Sequence, residues 1–358
     1  MLEALERLVT VESPSADKDA CARCADALTE IARDLVNADP ERIVVDGSTH
    51  LRWRFGSAPT KVVLIGHLDT VWPLGTLDEL PFNVRDGVAR GPGSFDMKSG
   101  LVMALHALAS LDERDGVTLL VNSDEEIGSL SSRVLVEDTA RGARAALVLE
   151  PSVDGALKIA RKGVGFYRLE VSGRAAHAGL EPEKGANALV AMAEVARAVT
   201  TMGDVARGTT VTPTTARAGS ARNVVPADAA LDIDLRGETQ DELERVDTAL
   251  RALQPTVDGT TFTWGGGLNR PPLESSASAE LFARAQRLAS ELGLAPLRGQ
   301  AVGGGSDGNF TAGIGVPTLD GLGAVGDGAH ARTEHVIVDS MPQRARLVAA
   351  LVRELLAD

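Results

Sequence analysis

Aromatic side chains are scarce in this chain: one Tyr, three Trp and seven Phe make up 3% of its 358 residues. Hydrophobic residues still reach 44%, so a core must be assembled from Ala, Val and Leu. Cysteine is scarcer still. Cys21 and Cys24 form a C-x-x-C, and no second pair exists to complete a zinc site or a disulfide framework. The surrounding DKDACARCADALTEIARDL has the spacing of an amphipathic helix, so packing is the main reading of these thiols and redox or metal chemistry the lesser one. No run of eighteen apolar residues occurs, and no membrane span is expected. The N-terminus, MLEALERLVTVES, is acidic early and lacks the apolar heart of a secretory signal, so a cytoplasmic protein is expected. Basic clusters are lacking too. A net charge of −14 repels phosphate backbones and anionic lipid, which argues against nucleic acid or membrane as partners.

The length suggests two domains, or one large domain carrying an insertion. Residues 1–36 are mostly helical by apolar spacing. The runs ERIVVD, HLRWRF and KVVLIGH follow as strands, the last apolar throughout, as a strand buried on both faces would be. A helix is expected over Met97–Leu111, then a strand VTLLVNS, a helix near Ser131–Glu137 and a strand AALVLE. Strands alternating with helices predict an α/β sheet covered on both faces. Near residue 162 the pattern changes to β-α-β-β-α-β: GVGFYRLEVSG, NALVAMAEVARAV, GTTVTPTTARAG, AALDIDLR, TQDELERVDTALRAL and TTFTW. That order is the split βαβ unit of a ferredoxin-like domain. After NRPPL the α/β pattern resumes with a helix at Ala279–Leu292, a strand VPTLD and a last helix SMPQRARLVAALVREL. The expected domains are 1–161 with 272–358, interrupted by 162–271. Gly and Pro near Arg161–Gly163 and Gly265–Pro272 suggest hinges.

The chemistry-bearing residues gather where strands end. His67-Leu68-Asp69 closes one buried strand, and Asp124-Glu125-Glu126 closes another. Glu150 closes a third, while Asp96 sits in the Gly-rich loop GPGSFDMKSG before a helix. In α/β sheets ligands collect outside the carboxyl ends of strands, and His, Asp and Glu are the ligands of hydrolytic metal ions. Each group alone is weak. A His closing a strand is usually structural, and a Glu pair in a turn is usually a solvated corner. Their joint occurrence at strand ends carries the argument.

The segments GHLDTV, GPGSFDMKSG, NSDEEIGS, VLEPS, SGRAAHAGLEPEKGANAL, NVVPADAALDIDLR, GGGSD and GAHARTEH occur in order along essentially the whole chain. With them the sequence resembles the zinc metallopeptidase family that includes glutamate carboxypeptidase, acetylornithine deacetylase and succinyl-diaminopimelate desuccinylase, most strongly glutamate carboxypeptidase. The resemblance implies a mixed-sheet catalytic domain with two Zn²⁺ per subunit, Co²⁺ or Mn²⁺ being alternatives, and an inserted lid and dimerisation domain that makes a homodimer. It implies His67 and Glu150 on one ion, Glu126 and His330 on the other, and Asp96 bridging them through its two oxygens. Asp69 would orient His67, and Glu125 would be the general base. His177 would steady the oxyanion, in its own or the partner subunit. Arg236 and Asn223 are candidates for a substrate carboxylate, and Gly304 and Gly305 for backbone contact with substrate. The implied reaction is amide or peptide hydrolysis of a small substrate with a free carboxylate. A carboxypeptidase acting on C-terminal glutamate is the first reading and an N-acyl amino acid deacylase the second.

Two competitors remain open at this stage. Gly304-Gly305-Ser306-Asp307-Gly308 satisfies G-x-S-x-G, and Asp327 and His330 follow in the order of a serine-hydrolase triad. That reading leaves His67, Asp96, Glu125, Glu126 and Glu150 without a purpose. A non-catalytic protein on the same fold is the other. His50, His106 and His335 receive no role.

Overall fold

The protein is described here by a computed structural model covering residues 1–358. It divides into two compact units, Met1–Arg161 with Leu273–Asp358, and Lys162–Pro272. In chain order the helices are α1 (Leu2–Val9), α2 (Lys18–Val36), α3 (Thr76–Glu79), α4 (Ser99–Ala109), α5 (Arg133–Ala140), α6 (Ala188–Val199), α7 (Gln240–Arg251), α8 (Ser275–Glu291), α9 (Gly308–Gly313) and α10 (Ser340–Ala357). The strands of the first unit are β1 (Glu41–Val45), β2 (Ser48–Phe55), β3 (Val62–His67), β4 (Asn83–Arg85), β5 (Val88–Arg90), β6 (Val117–Asn122), β7 (Ala145–Val148) and β8 (Leu157–Arg161). Those of the second are β9 (Gly163–Ser172), β10 (Thr210–Ala218), β11 (Asp228–Gly237) and β12 (Thr261–Arg270). The first unit then resumes with β13 (Gly299–Val302), β14 (Thr318–Leu319), β15 (Gly326–Asp327) and β16 (His335–Ile337). No helix is long and apolar enough to cross a membrane.

The first unit is built on a six-stranded mixed sheet in the order β1-β2-β6-β3-β7-β14. β6, β3, β7 and β14 are parallel, so their carboxyl ends share one edge. β3 shows why its run is apolar throughout. Val62 and Leu64 enter the cluster formed with α2, α4 and α10, while Val63 and Ile65 enter a second cluster with Val136 of α5 and Phe310 of α9. Both faces are covered, as a parallel segment requires. In α2 the Asp17 side chain caps the start by accepting from Ala20 N, and Asn37 ends the helix in the left-handed region. Cys21 and Cys24 lie on its buried face beside Ala25 and Leu28. Both thiols are free, and burial, the chief cause, pushes the Cys21 pKa up, away from a reactive thiolate.

The second unit is an antiparallel sheet in the order β10-β11-β9-β12. β9 alternates buried and exposed residues from Gly165 onward, and its buried face packs with α6 and α7 through Leu169, Val195, Leu235 and Val246.

Two expectations change. The helix expected from Met97 begins at Ser99, because Asp96 and Met97 take non-helical dihedrals in an irregular turn over Ser94–Lys98. The junction expected over Gly265–Pro272 is strand as far as Arg270. Arg161 is also tied down, since its N–H and carbonyl pair with Leu273 at 2.9 and 3.0 Å. The chain therefore passes between units through Lys162 and through Pro271–Pro272 alone.

Candidate metal centre

The parallel strands deliver their side chains to the same edge. His67 is the last residue of β3, Glu125 and Glu126 follow β6, and Glu150 follows β7. His67 is buried at 1% exposure. Its Nδ1 lies 3.0 Å from the Asp69 carbonyl and 3.4 Å from Asp69 Oδ1. Both are acceptors, so in the neutral ring the hydrogen sits on Nδ1 and the Nε2 lone pair faces inward. There Nε2 stands 3.3 Å from Asp96 Oδ1 and 3.6 Å from Glu150 Oε1. The other Asp96 oxygen, Oδ2, is 3.4 Å from His330 Nε2, which also lies 3.1 Å from Glu126 Oε2. The Asp96 carboxylate thus stands between two imidazoles, one oxygen to each. Asp69 is positioned in turn by the Ser15 hydroxyl at 2.6 Å and by the amides of Glu125 and Glu126 at 3.3 and 3.2 Å.

The electrostatics favour positive charge at this spot. Burial pulls the His67 pKa down, yet Asp69, Asp96 and Glu150 overrule it and hold it well above its ordinary value. His330, hydrogen-bonded by Asp96 and Glu126, is pushed up to about 10. Burial would raise Asp96, but the two imidazoles hold its carboxyl below the usual range. Glu150 is lowered to about 2, against burial and Asp96, by Arg161 and Lys158.

These residues fit divalent cations. His67 Nε2 and Asp96 Oδ1 are buried with no hydrogen-bond partner in the protein, although buried polar atoms are as a rule paired. Ligand atoms of His67, Asp96 and Glu126 lie within 4.8 Å of one another, and so do those of His67, Glu125 and Glu150.

Several residues that sequence reasoning left without roles brace this cluster. Glu334, only 4% exposed, accepts from the amides of Gly93, Phe95 and Asp96 at 2.9, 2.9 and 3.0 Å and from Trp72 Nε1 at 2.7 Å. It fixes the loop that presents Asp96. Lys98 is buried and donates to the carbonyls of Leu8 and Val11. Arg161 spends all five N–H donors inside the fold: on Asp320 at 2.7 and 3.1 Å, on Glu150 Oε2 at 3.1 Å, and on the carbonyls of Gly304 and Gly305 at 3.0 and 3.1 Å. The carbonyls of these two glycines are therefore occupied by Arg161. Replacing Arg161 with Met takes the guanidinium away from two buried carboxylates, leaving Asp320 with no cation, and a loss of about 3–5 kcal/mol is expected in denaturant unfolding. Metal content should fall as well, because Glu150 loses its brace. Unchanged stability and metal content would show the network to be ornamental.

The Ser306 reading fails on geometry. Its hydroxyl donates to Asp320 Oδ2 at 2.6 Å, while His330 Nε2 faces Asp96 and Glu126. A serine nucleophile needs a base at that hydroxyl.

Within the second unit, the 174–180 loop pairs with the segment before β11. Ala178 N donates to Asn223 O at 2.9 Å, and His177 bridges Val224. His177 Nδ1 accepts from Gly179 N and Leu180 N, both at 3.1 Å, so the neutral ring carries its hydrogen on exposed Nε2 as a donor. Arg236 is placed differently. It stands eight residues along β11 from Asp228, about 27 Å of strand, beyond which Asn223 lies. Its fork is held by Asp234, with Nε–Oδ1 and Nη2–Oδ2 both at 2.9 Å, and it stacks 5.7 Å over Phe166. Arg236 and Asn223 of one chain thus do not grip one carboxylate together.

A carboxylate–imidazole cluster at the carboxyl edge of a mixed sheet defines a metal-dependent hydrolase, here a metallopeptidase or amidohydrolase. Residues 63–354 match the model of peptidase family M20/M25/M40, and the chain belongs to that family. Its enzymes typically bind metal ions. The chain is 30% identical to carboxypeptidase G2 of a Pseudomonas species, over 99% of this chain and 89% of that protein. It is 28% identical to a succinyl-diaminopimelate desuccinylase of Thioalkalivibrio sulfidiphilus, over 85% of this chain and 86% of that one. Among solved structures, aminopeptidase PepT of Bacillus cereus shares the fold with a TM-score of 0.78 at 22% identity, covering 99% of this chain and 97% of that one. An M20 family metallo-carboxypeptidase of Sulfolobus solfataricus also reaches 0.78, at 16% identity and 100% and 99% coverage.

Proposed function

We propose that the protein is a di-zinc exopeptidase of the glutamate-carboxypeptidase type, cleaving the amide or peptide bond of a small substrate with a free carboxylate. The observation that carries this reading is Asp96, whose two oxygens face His67 and His330 separately. In the proposal His67 and Glu150 would hold one ion, His330 and Glu126 the other, and Asp96 would serve both. Zinc bound there would supply Lewis acidity toward the scissile carbonyl and an attacking water, with Co²⁺ or Mn²⁺ as workable substitutes. Glu125 takes that water's proton and returns it to the leaving amine. Asp69 keeps the His67 lone pair turned inward by holding Nδ1–H. Likeness to carboxypeptidase G2 over nearly the whole chain supports the carboxypeptidase. The desuccinylase relatives support the second reading, an N-acyl amino acid deacylase.

The test is release of free amino acid by zinc-loaded enzyme from C-terminal-glutamate dipeptides and from N-acyl amino acids. Glutamate release from the dipeptides supports the first reading, and turnover confined to the acyl compounds supports the second. Silence on both panels would end the proposal. Amidating the preferred substrate's carboxylate should lower kcat/KM by about 10–100-fold, the worth of a charge-assisted contact. Equal rates would remove the free-carboxylate requirement. Asn223 is the proposed contact beside His177, and Arg236 serves only where Asp234 yields its fork.

In this proposal the β9–β12 unit is a ferredoxin-like lid and dimerisation domain, and its exposed His177 donates from Nε2 to the oxyanion in the partner's site. Mixing inactive His177→Ala and Glu125→Gln homodimers under subunit exchange should then restore about a quarter of wild-type activity, because each heterodimer regains one intact site. A mixture that stays inactive would place His177 in its own subunit's chemistry.

A further inference from the structure

A cavity of about 370 Å³ lies in the first unit, lined by α10, the Asp154–Gly155 turn and the 294–298 segment that follows α8. None of its lining residues belongs to the metal cluster. One wall is the Arg344 side chain, only 5% exposed. Its Nη2 donates to the Gly155 carbonyl, while Nη1 finds no acceptor in the protein. No carboxylate answers the charge: burial alone acts on this guanidinium, pulling its pKa down to about 10 and leaving it cationic at neutral pH. A buried cation without a counter-charge is costly, and buried charges in proteins are paired. Arg161 shows how this fold treats such a group elsewhere, with two carboxylates and two carbonyls.

The rest of the lining indicates what completes Arg344. Arg298 adds a second cation, anchored through Nη2 to the Asp154 carbonyl at 3.0 Å. Ser340 and Gln343 offer neutral polar groups, and the exposed Asp154 is the only acid. Leu294, Leu297, Val325 and Leu347 make the remainder apolar. We propose that this cavity binds a small amphipathic carboxylate, a charged head on a short hydrocarbon chain, with the head on Arg344 and the chain against the leucines. A planar guanidinium suits a carboxylate head, and the leucine wall suits a hydrocarbon chain better than a fully hydrated anion such as phosphate.

Sodium hexanoate is the probe, titrated by calorimetry into the zinc-loaded protein, with sodium chloride and sodium phosphate matched in ionic strength. Saturable binding near about 1 mM is expected, and phosphate should bind at least tenfold more weakly. Arg344→Met should weaken hexanoate about tenfold or more, as loss of a charge-assisted contact does. Because that variant removes a buried residue, Leu294→Trp provides the second arm: it fills the half-buried rim, keeps Arg344 and should block binding equally. Hexanoate binding that survives both substitutions belongs to the metal centre and overturns the proposal. Phosphate binding as tight as hexanoate overturns the ligand class.

Discussion

Glu125→Gln is expected to lower kcat by about 10²–10⁴-fold, the usual worth of a positioned general base, while the protein stays folded and keeps the metal content of the wild type. The substitution preserves shape and removes only the capacity to take a proton. The backbone around it is fixed independently of the carboxylate, since Asp69 accepts from the Glu125 and Glu126 amides and Gly128 N closes the turn on Glu125 O at 2.8 Å. The experiment also resolves an ambiguity in the geometry. A Glu125 oxygen lies within 4.8 Å of ligand atoms of His67 and Glu150, close enough for either a ligand or a base reaching a water among them. Retained metal with lost turnover identifies the base. Lost metal makes Glu125 a ligand and moves the proton transfer elsewhere. Unchanged turnover with full metal content removes Glu125 from the chemistry.

The parts of this site legible in the sequence are those carried by strand ends. An apolar run such as KVVLIGH has one plausible environment, and a His or Glu that closes it must emerge at the sheet edge where ligands gather. Local pattern therefore located His67, Glu126 and Glu150. His330 and Asp96 were harder, because neither closes a strand. Asp96 lies in a turn with non-helical dihedrals and His330 is a positive-φ residue; the Gly-rich loop before a helix marks Asp96 as a candidate, while only the resemblance points to His330. The braces were invisible for a different reason. Ser15 reaches Asp69 across 54 residues, Arg161 reaches Asp320 across 159 and Glu334 reaches Gly93 across 241, and spacing carries no information at that range. Arg161 even reads locally as a hinge residue beside Lys162-Gly163, whereas the fold buries it and saturates its donors. Chemical economy offered one signal: the one acid of GAHARTEH, Glu334, stands four residues after His330. Arg236 shows the opposite failure. A strand-end arginine looked available, yet Asp234, two residues back on the same face, takes its fork.

In the proposed two-ion centre, graded chelation should strip the ions in order, the one at His330 and Glu126 first. The reason is asymmetry of burial. The His330 side chain is 51% exposed, against 2% for His67. His330 also sits in a turn, while His67 ends a buried central strand and is held by Asp69. A ligand that swings out to water lets its ion exchange through partly dissociated states, whereas the inner ion must first shed side chains fixed on every side by Asp69, Arg161 and the sheet. Metal analysis during titration with a chelator should therefore show a plateau near one ion per subunit, with activity falling to background along the first step because two-ion polarisation is lost. His330→Ala should reproduce that plateau without chelator. Asp96→Ala, which removes the only carboxylate touching both imidazoles, should leave less than one ion and no turnover. Each ion lost also removes stabilisation of the native state by mass action, about 4 kcal/mol when the free metal stands at a thousand times its Kd, so unfolding midpoints should descend in the same two steps. Simultaneous loss of both ions, or an Asp96→Ala protein that still binds two, would show that the carboxylate between the imidazoles does not join them into one centre.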